Sequence, residues 1–214
     1  MTERRRAIRA LGLLGALAAV VAAGVWVSGQ DPGVGTQPTD PEVASKLWPE
    51  PLPIRAFELV DHQGEPFTNE RFHGQWTFLF FGYTHCPDVC PMTLEALAQV
   101  RKILDEGGDA GDTGFVFVTL DAERDTVEAL DGYVGHFDED FVGVTGDQEE
   151  IDALAEQLGV MNVRVSRDGG ADAYHIDHTT SVMLVDPEGR VRAAFPNAHA
   201  PQRVARQYRE ISAL

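Results

Sequence analysis

The stretch Phe81–Met92, FGYTHCPDVCPM, contains the only two cysteines of the 214-residue chain, Cys86 and Cys90. The apolar run Trp76–Phe81 precedes it, and apolar residues at helical spacing follow it over 94–104. This order predicts a buried strand, a short loop with Cys86, and a helix with Cys90 near its first turn. The i, i+4 spacing places both sulfurs on one face, about one turn apart. Free N–H groups and the positive end of the helix dipole favour thiolates at this position.

Two neighbouring thiolates can close a disulfide or hold a soft metal ion, and the spacing alone leaves both uses open. A disulfide across three intervening residues closes a very short ring and adds little stability through chain entropy. A functional pair, either redox-active or metal-binding, is therefore favoured over a purely structural disulfide.

The chain is strongly acidic, with 34 Asp and Glu residues against 17 Lys and Arg residues. A surface of this charge repels phosphate backbones and anionic lipid, which argues against nucleic-acid binding. Only two of the basic residues, Lys46 and Lys102, are lysines. An acidic, lysine-poor surface is also typical of adaptation to high salt, and that interpretation is favoured over an acidic docking surface.

The N-terminal residues predict export to the periplasmic or extracytoplasmic side. Four arginines between positions 4 and 9 precede the uncharged run Leu11–Val27, which reaches the lower length limit for a membrane span. Residues 1–28 are therefore predicted to be a cytoplasmic Arg-rich flank followed by a membrane anchor or signal, with the anchor favoured. Residues 29–50, rich in Gly, Pro, Asp and Thr, are predicted to be a flexible linker. Residues 51–214 are long enough for a single folded domain.

The pattern from residue 51 onward predicts two short strands, three strand–helix units, two further strands and a closing helix. Asp125 is predicted as the N-cap of a helix that ends near Phe137, and Asp147 opens another. A hairpin or excursion is expected around the Gly169-Gly170 turn region. The order indicates a mixed sheet with helices on both faces, hence a single α/β domain. A Cys pair that opens the first helix after a central strand is the thioredoxin-like arrangement.

The segment before the strand Ser181–Val185 differs from thioredoxins, which place a cis-proline there, facing the Cys pair. Here Asp177–Ser181 reads DHTTS, so His178 is expected to face the cysteines instead. Two thiolates and one imidazole form a soft, low-coordinate ligand set that suits copper. The alternative is a loop histidine packed against the sheet.

The sequence resembles the Sco/SenC family of exported, copper-binding, thioredoxin-like proteins. The likeness runs from about Leu52 to the C-terminus, although Ala122 stands where the family usually has proline. In this family the two motif cysteines and the later Asp-His histidine bind one copper ion. The resemblance therefore implies Cys86, Cys90 and His178 as ligands of a single Cu(I) or Cu(II). The matching stretches are residues 57–64, 81–91, 121–126, 176–179 and 186–189.

The resemblance also implies a copper metallochaperone that delivers copper to, or maintains the thiols of, the binuclear copper site in subunit II of cytochrome c oxidase. Its partners would be that subunit, other copper chaperones or thiol reductants, and the membrane through the N-terminal helix. No enzymatic activity is expected beyond a thiol–disulfide reductase activity. The alternatives are an exported thiol–disulfide oxidoreductase, with Cys86 and Cys90 as the redox pair, or a redox or copper sensor.

Two further residues are candidates to tune the site without binding metal. Asp121, at the end of the strand next to the cysteine strand, either orients the site or caps a turn. His85 either packs locally or, as a cation, lowers the cysteine pKa. Thioethers are also soft ligands, but core positions are predicted for Met92, Met161 and Met183.

Overall fold

The computed structural model describes residues 38, 40–109, 111, 113–166 and 174–214, and the compact unit starts at Pro38. The predicted anchor and the first part of the predicted linker lie outside the described residues. Within these ranges no helix is long and apolar enough to cross a membrane.

The folded domain begins before the predicted boundary at residue 51. Asp40 caps a short helix, α1 (Pro41–Ala44), by accepting a hydrogen bond from the Glu42 N–H at 2.8 Å. Strand β1 (Leu47–Pro53) follows and pairs antiparallel with the last strand along the chain, Arg190–Phe195. Val43 is fully buried. The end of the predicted 29–50 linker therefore belongs to the fold, because Val43 contributes to the core.

The remaining elements follow in the predicted order of strands and helices. They are β2 (Glu58–Asp61), β3 (Pro66–Thr68), a 3-10 turn (Asn69–Phe72), β4 (Trp76–Gly82), α2 (Val89–Gly107), β5 (Thr113–Thr119), α3 (Val127–Gly135), β6 (Val142–Thr145), α4 (Gln148–Gln157), β7 (Asn162–Ser166), β8 (Tyr174–His178), β9 (Val182–Val185), β10 (Arg190–Phe195) and α5 (Pro201–Ser212).

Eight strands form one mixed sheet in the order β1-β10-β9-β4-β5-β6-β2-β3. Strands β4, β5 and β6 run parallel, and β9 runs antiparallel to β4. Central strand β4 is buried from Thr77 to Gly82, as its apolar sequence predicts. Helix α2 packs against α5, and α3 packs against β6. The predicted α/β class, a thioredoxin-like mixed sheet flanked by helices, is confirmed.

The start of α3 differs from the prediction that Asp125 is its N-cap. The helix begins at Val127, and Thr126 caps it by accepting a hydrogen bond from the Ala129 N–H at 3.3 Å. The Asp125 carboxylate is fully buried and bound by other donors, so it is not free to cap the helix. The Asp147 cap of α4 is as predicted.

Strands β7 and β8 pair antiparallel in a separate two-stranded sheet, as a hairpin requires. The predicted Gly169-Gly170 turn region between them lies outside the described residues. Met161 directly precedes β7, and Thr179 directly follows β8. The Thr179 N–H donates a hydrogen bond to the Met161 carbonyl at 2.9 Å. His178 is the last residue of β8. The candidate histidine is thus carried by a hairpin outside the main sheet.

The topology brings three segments to one edge of the sheet. The parallel strands β4 and β5 both end there, so the cysteine loop after β4 lies next to the segment after β5. Strand β9 is antiparallel to β4, so it begins at the same edge, and His178 lies just before it. The fold therefore joins parts of the chain that are far apart in sequence.

Candidate metal centre

Both cysteines are free thiols, with Cys86 in the loop before α2 and Cys90 in the first turn of that helix. The Cys86 N–H donates to the Tyr83 carbonyl at 3.2 Å, which fixes the turn before the helix. The Cys90 N–H donates to Cys86 Sγ at 3.4 Å. The preceding Asp88 side chain makes no cap hydrogen bond, so the sulfur of Cys86 accepts from the first turn of the helix in its place.

The two thiols have opposite pKa shifts. The pKa of Cys86 is lowered, chiefly because its thiolate accepts a hydrogen bond from Cys90, and burial opposes this only in part. The pKa of Cys90 is raised, chiefly because its proton is held by Cys86 and further because it is buried. The pair therefore carries one proton and one negative charge, with the charge on the more exposed sulfur.

His178 faces Cys90, and its Nε2 lies 3.6 Å from Cys90 Sγ. Its Nδ1 lies 2.9 Å from the Thr179 carbonyl oxygen. Since a carbonyl can only accept, Nδ1 carries a proton, and Nε2 is the ring nitrogen that faces the sulfur. The imidazole also packs edge-on against Tyr83, at 6.0 Å between ring centroids. The hydrogen bond to the Thr179 carbonyl and the contact with the Tyr83 ring thus orient the imidazole so that Nε2 faces Cys90.

The structure brings Cys86, Cys90 and His178 together, as the sequence predicts. The hydrogen bonds that lower the pKa of Cys86 come from both Cys90 and His178. In the described part of the chain no three His, Cys, Asp or Glu side chains are already spaced to hold a metal ion. Binding a metal here would therefore require a small rearrangement, and half-exposed Cys86 has the most room to move.

Gly82, the last residue of β4, leaves the space that Cys90 occupies. A Cβ at this position would lie 2.8 Å from Cys90 Sγ and 2.8 Å from a ring carbon of Phe117. Both distances are too short for carbon atoms, so the buried sulfur fits only because residue 82 has no side chain.

Asp125 ties the cysteine loop to the core, a role that was not predicted. Its carboxylate accepts hydrogen bonds from the Thr84 N–H at 2.8 Å and from Thr119 Oγ1 at 2.6 Å. It also accepts from the Thr84 hydroxyl. One signal was available in the sequence: an aspartate just after a buried strand that runs parallel to the cysteine strand must lie at the same edge.

Asp121, the first tuning candidate, is fully buried and touches neither cysteine nor His178 in any contact of the described residues. It pairs with Arg124 and accepts from Tyr174 Oη at 2.6 Å. The Arg124 guanidinium lies 3.6 Å from the Tyr174 ring centroid and 5.9 Å from that of Tyr83. Asp121 therefore reaches the site indirectly, by fixing the hairpin that carries His178 through Tyr174.

His85, the second tuning candidate, turns toward Asp125. Its Nδ1 lies 3.0 Å from Thr84 Oγ1 and 3.7 Å from Asp125 Oδ1. The ring is more than half exposed. His85 therefore lies within hydrogen-bond distance of Thr84 and beside the buried Asp125 carboxylate.

The family model described as SCO1/SenC matches residues 50–213, more than half of the chain. This chain belongs to the SCO1/SenC family. The resemblance noted from the cysteine motif is thereby confirmed, and the match covers nearly the whole described domain.

The similar family members differ in length from this chain. The mitochondrial SCO1 homolog of Mus musculus is 40% identical over 139 residues, which cover 65% of this chain and 49% of the mouse protein. The chain thus spans about half the length of the curated relatives it matches. The likeness therefore concerns the folded domain.

Solved structures of Sco proteins share the fold. Arabidopsis thaliana ScoI, with copper bound, is 31% identical with a TM-score of 0.69, covering 75% of this chain and 98% of its own. A second structure is that of BsSco, described as a member of the Sco family of cytochrome c oxidase assembly proteins in which a disulfide switch was identified. It is 20% identical to this chain, with a TM-score of 0.61. It covers 79% of this chain and 99% of its own, and at this identity it shows the fold alone.

Proposed function

We propose that this protein is a copper metallochaperone that holds one copper ion through Cys86, Cys90 and His178. The observation that carries the proposal is the approach of His178 Nε2 to Cys90 Sγ, 3.6 Å across 88 positions of sequence. The fixed Nδ1 proton leaves Nε2 free as a ligand. Family membership adds support, because the relative from Arabidopsis thaliana was solved with copper bound.

The donor set suits copper better than the hard cations. Thiolate and imidazole are soft or borderline ligands, which Cu(I) prefers at low coordination number. Cys86 already favours the thiolate, so copper loading has to displace only the proton of Cys90. Two thiolates with Cu(I) leave a net charge of −1, and with Cu(II) a net charge of zero.

Oxidation of the cysteine pair would act as a gate on copper binding. Forming the Cys86–Cys90 disulfide removes two electrons and the one proton that the pair carries, and it takes both thiolate ligands away. The reduced form would bind copper and the oxidised form would not. The same chemistry allows a reductase role, in which the pair is oxidised as a partner's disulfide is reduced.

We further propose that the acceptor is the binuclear copper site of cytochrome c oxidase subunit II. The domain would act on the outer side of a membrane, held there by the Arg-flanked apolar segment before residue 28. Other copper chaperones or thiol reductants would supply the copper or the electrons. This proposal rests on the family resemblance and on the composition of the N-terminal segment.

A transfer assay tests the proposed function. The copper-loaded, reduced chain is mixed with a copper-free soluble domain of subunit II, whose binuclear site is followed by absorption. Transfer to a reduced acceptor is expected with wild type and not with His178→Ala. A loaded wild-type protein that never fills the acceptor would contradict delivery.

The second candidate function, a thiol–disulfide oxidoreductase, is favoured by the opposite pKa shifts of the two cysteines. A low-pKa, half-exposed Cys86 beside a buried Cys90 is an arrangement that suits nucleophilic attack and resolution. Its signature is disulfide-exchange turnover that persists in His178→Ala. Loss of Cys86, by contrast, should abolish both functions.

A further inference from the structure

Three large apolar side chains are exposed among the described residues, and each lies on a segment that contains, or is hydrogen-bonded or paired to, the chain beside Cys90 or His178. Met92 is 50% exposed, Met161 is 76% exposed and Val163 is 59% exposed. The core positions predicted for Met92 and Met161 are therefore wrong. The third methionine, Met183, is buried as predicted. An exposed methionine side chain contributes little hydrophobic free energy to folding. Two exposed methionines near one site therefore call for another physical reason.

Met161 is joined to the ligand histidine through a single residue. Its N–H donates to Thr179 Oγ1 at 3.1 Å, and its carbonyl accepts from the Thr179 N–H at 2.9 Å. The carbonyl of the same Thr179 accepts from His178 Nδ1 at 2.9 Å. Met161 thus has a fixed backbone position beside His178, with its side chain free in solvent.

Met92 stands on the cysteine side of the site. It lies in the first turn of α2, two residues after Cys90. Its N–H donates to the carbonyl of Asp88, the residue midway between the two cysteines, at 3.2 Å. Its backbone is therefore held by the cysteine loop while half of its side chain faces solvent.

We infer that Met92 and Met161 are transient thioether ligands for Cu(I) as it enters or leaves the Cys86–Cys90–His178 site. A thioether is a soft, neutral and weak donor, so it binds Cu(I) without competing with two thiolates for the resting position. This inference rests on the proposed function and adds a route to its metal site. None of the three ligands proposed for the resting site, Cys86, Cys90 and His178, is a thioether.

The step is a ligand exchange without a change in oxidation state. As Cu(I) moves outward, its bond to His178 or a cysteine breaks while a bond to methionine sulfur or to the acceptor forms. When the ion leaves, Cys90 takes a proton from water and Cys86 keeps the negative charge. No electron is transferred, so no oxidant or reductant is needed.

The experiment measures the rate of Cu(I) release from the reduced full-length chain. The probe is bicinchoninate, a chromogenic Cu(I) chelator, mixed in stopped flow with the singly loaded protein. The double variant Met92→Leu/Met161→Leu keeps the apolar bulk and removes both sulfurs. We expect release about tenfold slower, with the equilibrium Cu(I) affinity unchanged. Val163→Leu, an exposed apolar change in the same region, is the matched control and should release copper at the wild-type rate.

The outcomes separate this inference from the proposed function. A wild type that holds neither Cu(I) nor Cu(II) tightly would defeat both, and one that holds only Cu(II) would defeat the thioether route alone. Tight binding with an unchanged release rate in the double leucine variant would overturn the thioether route alone. If leucine is neutral but Met92→Gln/Met161→Gln slows transfer to subunit II, the two residues act as an apolar contact and the thioether assignment is wrong.

Discussion

The Cys86 thiolate should make this cysteine reactive at a pH where an ordinary thiol is inert. Because its pKa is lowered while that of Cys90 is raised, Cys86 keeps its charge as the pH falls well below the ordinary thiol range. Iodoacetamide labelling of the reduced protein, read by mass spectrometry, should modify Cys86 at pH 6 and leave Cys90 intact. The rate should fall only on further acidification.

The Cys90→Ala variant provides the control for this labelling. The hydrogen bond from Cys90 is the largest cause of the shift, so its loss should move the labelling curve of Cys86 toward higher pH. A curve that stays in place would mean that the helix N-terminus, and not the second thiol, sets the charge.

The absence of a side chain at Gly82 should be essential for seating Cys90. In Gly82→Ala the new methyl would lie 2.8 Å from the sulfur, so we expect a loss of about 1–3 kcal/mol of unfolding free energy. Copper affinity should fall as well, because the sulfur is pushed from its position. Denaturant unfolding and copper competition measure the two effects.

Gly132→Ala is the matched control for Gly82→Ala. A Cβ at Gly132 in helix α3 meets no atom within 4 Å, and alanine is the better helix former. This variant should be neutral or slightly more stable. Equal losses in both variants would show that the cost is general and unrelated to Cys90.

At the level of elements, the hairpin β7–β8 depends on side-chain contacts for its position. Among the described strands it shares no pairing with the main sheet, yet it carries His178. The Tyr174 hydroxyl is hydrogen-bonded to buried Asp121, and the guanidinium groups of Arg124 and Arg164 lie over the Tyr174 ring, at 3.6 Å and 4.2 Å from its centroid. We expect these contacts to fix the hairpin more than its own two-stranded pairing does.

Tyr174→Phe tests this dependence. The change removes one hydrogen bond to a buried carboxylate, so we expect a loss of about 1–2 kcal/mol of stability. Copper affinity should fall too, because His178, the proposed ligand, loses its fixed position. Tyr133→Phe is the control, since the Tyr133 hydroxyl is buried without a hydrogen-bond partner among the described residues. A copper affinity that is unchanged in Tyr174→Phe would show that the hairpin is held by other contacts.

The elements were predictable where one physical signal dominates. The apolar run of β4 and the Asp147 cap of α4 were read directly from the sequence, as was the helix after the cysteines. The cap of α3 was misplaced because a local pattern cannot show that Asp125 is bound to Thr84, 41 positions away. Met92 and Met161 were assigned to the core because apolar residues usually are, and burial depends on tertiary neighbours that no local pattern contains.

The site itself was predictable to the extent that it follows from topology. Parallel strands end at one edge, so the sequence places the cysteines, Asp121 and His178 near that edge, and the resemblance to Sco/SenC implies the ligands that we propose. The Asp121–Tyr174–Arg124 cluster was not predictable, because its members come from one loop and from the hairpin, whose approach to that loop depends on packing.

At the scale of the whole molecule, the net charge of −17 should make stability depend on salt. Excess negative charge repels itself in the compact state, and added ions screen that repulsion. Raising NaCl from about 0.05 M to about 1 M at pH 7 should raise the Tm by several degrees. Near the isoelectric point of about 4.6 the same salt step should have little effect. A Tm that does not depend on salt at pH 7 would contradict this account.

The central claim is that one copper ion is bound jointly by Cys86, Cys90 and His178. Copper titration of the reduced full-length chain, read by absorption and chelator competition, tests it most directly in wild type, His178→Ala and His175→Ala. His175 lies on the same strand with its Nε2 3.2 Å from Asp177, so it is the matched control. The account predicts one tight equivalent in wild type and His175→Ala and a sharp loss in His178→Ala. Equal affinity in all three proteins would contradict it and leave a dithiol protein whose histidine is not a ligand.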